Sequence, residues 1–358
     1  SNNKTSIEIT TMKKSLFLLF AWCIAVVATA QQKARVYAVG FYNQENLFDT
    51  CHDAGKKDYD FLPGGSYKWD GLKYGHKLRN MARALADMGT DVLPHVGCAV
   101  IGLSEVENRR VLEDLVRQQP LAERGYAFAH IEGPDRRGID CALLYNPQLF
   151  TKQTERLVPY VMREAKDSAF FTRGFFTVTG ELAGEPVAFI VCHLPSRFSG
   201  SSYREWGATQ VRAVKDSLLA LNPAMKVMVM GDMNDDPTDN SMRQCLSAKA
   251  EVAQVGLQDM YNPWYNLLVK QGTGTLQYRG AWNLFDQIIL SLNLLNAPGT
   301  KDFTTLKFWK ARIQRMPYLF ETEGKYKGSP KRTTAGGVWL DGYSDHLPVC
   351  VYLVKTQQ

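Results

Sequence analysis

VMVMGDMNDDP, residues 227–237, runs four apolar side chains and a glycine straight into Asp232, Asn234, Asp235 and Asp236. The apolar run is greasy on both faces, as strands in the middle of a layered fold are. A buried strand that stops in a cluster of carboxylates and an amide asks what its end faces. One calcium reading fails at once. Asp232, Asn234 and Asp236 have the 1, 3, 5 spacing of an EF-hand loop, but Pro237 and Arg243 stand where that loop needs glycine and glutamate.

Other strand-like runs end the same way. Runs at 36–42, 99–104, 140–145, 187–193, 226–231, 285–291 and 348–354 are rich in Val, Ile and aromatics. The first leads into Asn43, the second into Glu105, the fourth into His193 and the fifth into Asp232 and Asn234. Asp286 sits inside FDQIILS (285–291), near its start, and Asp345-His346 precedes the last run. Singly, each has an ordinary reading: Asn43 a turn cap, Glu105 a solvated acid, His193 a core histidine. Six strands that each end in a metal ligand or an acid/base group make a site the better reading. Carboxylates brought within ~4 Å repel by about 4 kcal/mol per pair at an effective dielectric of 20. A hard divalent cation removes that cost, and an oxygen-rich set without cysteine suits Mg2+, with Mn2+ or Ca2+ as alternatives.

Helical spacing lies between the strands. Leu78, Met81, Ala82 and Leu85 form one apolar stripe ending at Gly89, and Val111, Leu112, Leu115 and Val116 another. Ser202 and Glu205 have the spacing of a capping box ahead of Val211, Val214, Leu218 and Leu221. Hairpin-like pairing of 171–182 with 187–193 is mixed in. Alternating helices and strands with such hairpins predict layered α/β with two central mixed sheets.

The motifs NQENLF (43–48), GLSEVEN (102–108), RRGIDCALLY (136–145), HLPSR (193–197), GDMND (231–235), FDQIILS (285–291) and SDHLPV (344–349) occur in that order. Together they resemble the endonuclease/exonuclease/phosphatase superfamily over about residues 36–354, nearly the whole chain. The resemblance implies a deoxyribonuclease-I-like, four-layered α/β/β/α sandwich with the site at one edge of its two sheets. It implies Asn43, Glu105 and Asp345 as metal-side ligands, Glu105 foremost. Asp232 and Asn234 would orient the attacking water, His346 would be the catalytic histidine, and Asp286 would fix its tautomer. His193 matches the second histidine of deoxyribonuclease-like and phosphatase-like members. Abasic-site endonucleases carry asparagine there, so the chain departs from that branch. Asp140 and Arg173 are second-tier candidates.

The resemblance and this chemistry together imply a metal-dependent phosphoesterase, with nucleic acid as the leading expected substrate. A phospholipid or inositol-phosphate ester is the alternative, because fold does not dictate substrate. A non-catalytic binding module on the same fold is a further alternative, and no inert residue at a core position favours it. No Walker-type loop, G-x-S-x-G elbow or H-E-x-x-H is present.

Composition adds compartment and partner. Met12-Lys13-Lys14, the apolar run from Leu16 to Val27 and Ala28-Thr29-Ala30 read as a secretory signal peptide, so residues 1–30 are expected to be upstream residues (1–11) and a cleaved leader. An exported, monomeric single domain over 31–358 is expected, with no obligate protein partner. Of 7 cysteines, Cys98, Cys141, Cys192 and Cys350 sit in apolar runs as buried hydrophobes. Cys51 and Cys245 stay open to either state. Residues 301–332 carry nine Lys/Arg against three acids, an excess that matches the net charge of +6 for the whole chain. That stretch reads as a basic insertion, either solvated or facing a polyanion such as nucleic acid or anionic lipid.

Overall fold

The computed structural model describes residues 33–162 and 172–357. The leader at 1–30 and the first residue of the expected hairpin, 171, lie outside the described residues. Residues 226–232 form the strand β8 (Lys226–Asp232), buried along its whole length. Its neighbours supply the reason for so apolar a sequence: it is covered on both faces.

One sheet holds six strands in the order β14-β17-β1-β2-β4-β3, and the other seven in the order β5-β6-β7-β8-β13-β10-β9. In the first sheet the strands are β1 (Ala34–Leu47), β2 (Cys98–Val106), β3 (Ala127–His130), β4 (Asp140–Tyr145), β14 (Lys307–Ile313) and β17 (Val349–Thr356). The second is built from β5 (Phe150–Val158), β6 (Phe175–Leu182), β7 (Glu185–His193), β8, β9 (Ala248–Lys249), β10 (Met260–Tyr261) and β13 (Asp286–Ser291). Two small hairpins, β11 (Leu276–Tyr278) with β12 (Ala281–Asn283) and β15 (Thr334–Ala335) with β16 (Val338–Trp339), stand apart. All seven strand-like runs of the sequence are strands, and both sheets are mixed.

The inner faces of the two sheets share one core, in which Phe41, Val100 and Val351 join Phe189, Met230 and Ile288. The helix α1 (Gly71–Asp87) and the short α2 (Arg109–Val116) cover the outside of the six-stranded sheet, with Met81, Leu85 and Leu112 packed on Ile101 and Leu103. On the outside of the other sheet, α3 (Ser201–Leu221) lays Ala208, Val211 and Val214 on Ile190 and Val229. The order helix, sheet, sheet, helix is the four-layered sandwich, and it lies within the unit Val36–Lys355. A further helix, α4 (Trp264–Gln271), buries Trp264 in the inter-sheet core.

Local chemistry explains most of the boundaries. Asp70 caps α1 through the Lys73 amide, and Asn108 caps α2 through the Val111 amide. The capping box at Ser202 and Glu205 does not form: the N-cap of α3 is Gly200, two residues earlier, with no side-chain cap. Gly231 is required by space. A Cβ there would stand 2.1 Å from the Cys192 carbonyl oxygen on β7. Gly231→Ala is therefore expected to cost about 1–3 kcal/mol through overpacking, and to displace Asp232. A denaturant midpoint unchanged from wild type would count against this.

The basic stretch 301–332 is largely built into the fold. Lys307–Ile313 is the edge strand β14, paired with β17. Lys307 donates to the carbonyls of Asn293 and Leu295, and Arg312 pairs with Asp91. Lys310 lies over Trp309, and Arg315 lies over Trp282 and Phe320. Six cysteines lie among the described residues and all are free; Cys98, Cys141, Cys192 and Cys350 are buried, as expected. Cys51 is exposed and Cys245 intermediate. No helix of the described residues is long and apolar enough to cross a membrane.

Candidate active site

Strand register assembles the site. Across the parallel pair β7–β8, His193 stands beside Asp232, and across the antiparallel pair β8–β13, Asp286 stands opposite Asp232. Three expected site residues thus form one row at the edge of the seven-stranded sheet. In the other sheet Asn43 pairs with Ser104, so Asn43 and Glu105 share the ends of the parallel β1 and β2. The segment before β17 is tied to that end: Ser344 Oγ donates to the Asn43 carbonyl (2.8 Å) and accepts from the His346 amide (3.1 Å). The two edges bound a cleft of about 470 Å³, into which Glu105, His193, Asp232, Asn234, Asp345 and His346 face.

Glu105 reaches the cleft through a bulge. Pairing of β2 with β4 steps from Ser104↔Cys141 to Val106↔Asp140, so Glu105 has no partner, and its φ is +61°. A bulge re-aims a side chain, and a non-glycine residue in this region costs about 1–3 kcal/mol. Asn46 (φ +56°) and Asn234 (φ +50°) share the left-handed conformation at the same cleft. Glu105 Oε2 accepts from the Asn46 amide at 2.9 Å, while Oε1 lies 3.8 Å from His193 Nε2.

Asp232 is the hub. Its Oδ1 accepts from the Asn234 amide (2.9 Å) and its Oδ2 from Asn43 Nδ2 (3.0 Å). Nε2 of His193 stands 3.6 Å from Oδ2, and Nε2 of His346 stands 3.7 Å away. Burial pushes this carboxyl up to about 7; His346 opposes the shift, and Asp286 and Glu105 add to it. The two histidines part company. Burial works against a charge on His346, yet Asp286, bonded to its Nδ1 at 2.7 Å, with Asp232 and Asp345 outweighs that and holds its pKa well above the usual value. For His193 burial is joined by Arg173, Arg137 and His346, so its pKa falls well below the ordinary range. One imidazole is a cation at neutral pH and the other is neutral.

The remaining candidates spread over two depths. Asp345 sits on the rim, where Arg332 Nη2 pairs with it at 3.2 Å and with buried Glu45 at 3.1 Å. Arg173 lines the cleft, salt-bridged to Asp135 (3.1 Å) and donating to the Leu194 carbonyl; its Nε has no hydrogen-bond partner among the described residues. Asp140 lies a layer back, bonded to His130 Nε2 and to the Gly133 amide, where it steadies the loop that carries Asp135 and Arg137. Asn234 turns its side-chain amide to the Leu194 carbonyl. Asp235 and Asp236 fasten the loop instead: Asp235 to Arg204 and Ser241, Asp236 to the Leu284 amide and Asn283.

Sequence reading missed Arg137, Arg332 and Glu45. Arg137 enters the cleft 3.7 Å from Glu105 and bonds Asn46 Oδ1; it lies inside the RRGIDCALLY motif, which was the available signal. Glu45 is raised to about 7, chiefly by burial and then by Asp345, and Arg332 answers it from the end of the basic stretch. Buried Lys77, lowered to about 8 by burial, donates to Thr333 Oγ1 and steadies the same corner.

A fold with this site has relatives. The sequence profile of the Endonuclease/Exonuclease/phosphatase family matches residues 38–355, and the chain belongs to that family. Its members hydrolyse phosphoester bonds, so the chain is a hydrolase of that kind. Among solved structures it is similar to an endonuclease/exonuclease/phosphatase family protein from Bacteroides thetaiotaomicron (TM-score 0.54, 15% identity, covering 91% of this chain and 100% of that one). It is similar to Bacteroides thetaiotaomicron mannosyl-6-phosphatase (TM-score 0.54, 14% identity, 88% and 99% covered). D. rerio TDP2, solved complexed with single strand DNA product, is another (TM-score 0.50, 13% identity, 89% and 98% covered). No curated protein matches the chain.

Enzymes of this family generally depend on a divalent metal. Among the described residues no three His, Cys, Asp or Glu side chains form a ready-made cage. The donor set nevertheless fits Mg2+, which is held by one or two carboxylates and completed by water and substrate oxygens. Glu105 supplies such a carboxylate, fixed through one oxygen by the Asn46 amide and facing the cleft. Asn43 stands on the neighbouring strand, its Oδ1 accepting from the Glu45 amide, and Asp345, in the segment that Ser344 ties to Asn43, is the second acid, paired with Arg332.

Proposed function

We propose that this cleft hydrolyses phosphodiesters, with nucleic acid as the substrate class, in a divalent-metal-dependent reaction. The observation that carries the reading is the charge balance of the cleft. Its lining holds four carboxylates, Glu105, Asp135, Asp232 and Asp345, against Arg137, Arg173 and the charged His346. With Asp232 ionised, as catalysis requires and as it is above about pH 7, that leaves one negative charge, which a divalent cation turns into one positive. A diester carries a single negative charge and is matched; a monoester dianion is not. The TDP2 structure with a DNA product supports nucleic acid on the same fold. The basic stretch supports it less than its charge suggests, because most of its cations are already partnered.

Glu105 and Asn43 would hold the metal, whose chemistry there would be charge neutralisation on the phosphoryl oxygens. Asp232 accepts the proton of the attacking water, and a carboxyl raised to about 7 is better suited to that task than an ordinary one. Asn234, through its amide to Asp232 Oδ1, fixes that carboxylate. His346, held by Asp286, presents Nε2 as an imidazolium to the charge that develops on the phosphoryl group. Neutral His193 donates a hydrogen bond from Nε2 to the same region.

The test is a substrate panel with Mg2+ or excess EDTA: plasmid DNA, RNA, sphingomyelin, inositol phosphates and an aryl phosphodiester. Mg2+-dependent turnover of nucleic acid and the aryl diester is expected. Preference for sphingomyelin or a phosphomonoester, or full activity in EDTA, would sink the reading. Export is part of the proposal and rests on the leader-like residues 1–30. An N-terminus of the exported protein near Gln31 is the expected result.

A further inference from the structure

The lip of the cleft carries a side chain that the chemistry above does not use. Phe198 lines the cleft and is 104% exposed. A single exposed apolar residue is ordinary, so exposure alone says little. What sets Phe198 apart is how firmly the chain around it is held. Buried Arg204 of α3 donates to the carbonyls of Ser196 and Ser199, both at 3.1 Å, and the Ser199 amide closes back on Ser196 at 2.9 Å. Arg197, the preceding residue, donates to the Asn234 carbonyl, pairs with Asp236 and Asp239, and covers the ring of Phe285 at 4.6 Å. Two arginines thus fasten the loop on either side of position 198, and the Phe198 ring itself is left fully turned out. Covering a Phe side chain is worth roughly 1.5–3 kcal/mol. A tethered loop that forgoes this at the mouth of a phosphoester site keeps a rigid flat surface for something that arrives with the phosphate.

We propose that Phe198 is a stacking platform for the nucleobase next to the scissile phosphate. The proposal rests on the reading of the cleft as a phosphoester site and deepens it. It makes Phe198 a specificity-determining residue, sequence-tolerant because every base presents a π-face. The anchoring arginines give it the pre-organisation that makes stacking effective, since the ring loses little freedom on binding.

The test is calorimetric binding, in Mg2+, of two phosphonates whose P–C bonds resist hydrolysis. Each carries a methyl group on phosphorus, so that, like a diester, it holds a single negative charge: one is the 5′-phosphonate analogue of uridine monophosphate in this P-methyl form, and the other is the same sugar compound without a base. Wild type is expected to bind the nucleoside compound about tenfold more tightly, the lower part of the range for base–aromatic stacking. Phe198→Ala should abolish that difference and leave the sugar phosphonate unchanged, while Phe198→Trp should keep it. The ring touches little, so thermal midpoints should match wild type. A wild-type enzyme with no preference, or a preference that survives Phe198→Ala, overturns the platform. Turnover of thymidine 5′-p-nitrophenyl phosphate is measured alongside. Its absence would defeat the phosphodiesterase reading without touching a Phe198-dependent binding difference.

Discussion

His346→Ala is expected to lower kcat by at least about 10³-fold while the protein stays folded. Removing one pre-organised donor to a developing oxyanion costs on the order of 10²–10³ in rate, and here the donor is a full cation held by a 2.7 Å bond to Asp286. The same substitution leaves Asp232 and Asp286 facing a space once filled by positive charge. Asp286→Asn separates the two effects. It keeps the shape but removes the charge that holds the imidazolium, so a loss smaller than that of His346→Ala is expected. Equal turnover in wild type and His346→Ala, measured on an aryl diester, would remove His346 from the chemistry.

The same pair sets the pH profile. Asp232 must be ionised to accept a proton, so kcat/KM should climb as pH rises through about 7. His346 must stay protonated, and its pKa lies well above the ordinary 6.5, so the rate should fall again on the alkaline side. The two groups interact across 3.7 Å, and both limbs belong to the pair. Stability follows the same sign. A histidine whose folded pKa is raised contributes stability that is complete below its unfolded pKa and is lost as pH passes the folded one. The difference in unfolding free energy between wild type and His346→Ala should therefore narrow in alkali.

Most of the site was legible because each candidate stands beside an apolar run. The period of the run locates the strand, and the first polar residue past it locates the end. Asn43, Glu105, His193 and Asp232 follow this logic, Asp286 stands instead at the start of its run, and strand register then brings His193, Asp232 and Asp286 into one row. Three things were not legible, each for a physical reason. Glu105 is read off the end of its run, but the left-handed bulge that aims it is not, because no pattern of polarity reports backbone φ. Arg332 is one of nine cations in its stretch, and a charge count says nothing about which of them finds Glu45 and Asp345. The capping box fails because the N-cap of α3 is Gly200, two residues ahead of Ser202. Its first turn is held by the tethered loop that Arg204 organises.

Glu105→Gln is the second large expected effect, and it separates the metal from the acid–base groups. The glutamine keeps the volume and can still accept from the Asn46 amide, so the bulge is preserved. What it loses is the charge that a hard cation seeks. Loss of even a supporting partner costs about 10–100-fold in metal affinity or activity, so loss of the principal carboxylate should raise the Mg2+ concentration for half-maximal rate by at least about 100-fold. High Mg2+ should restore part of the rate, which it cannot do for His346→Ala. Stability should move the other way. Glu105 adds to the repulsion that raises Asp232, and its bulge is retained, so the uncharged variant should melt no lower than wild type without metal. If Glu105→Gln has the wild-type Mg2+ dependence, the cation is held elsewhere. A rescue by Mg2+ in Glu105→Gln, with none in His346→Ala, would place the cation at Glu105 and leave the imidazolium a separate task in the chemistry.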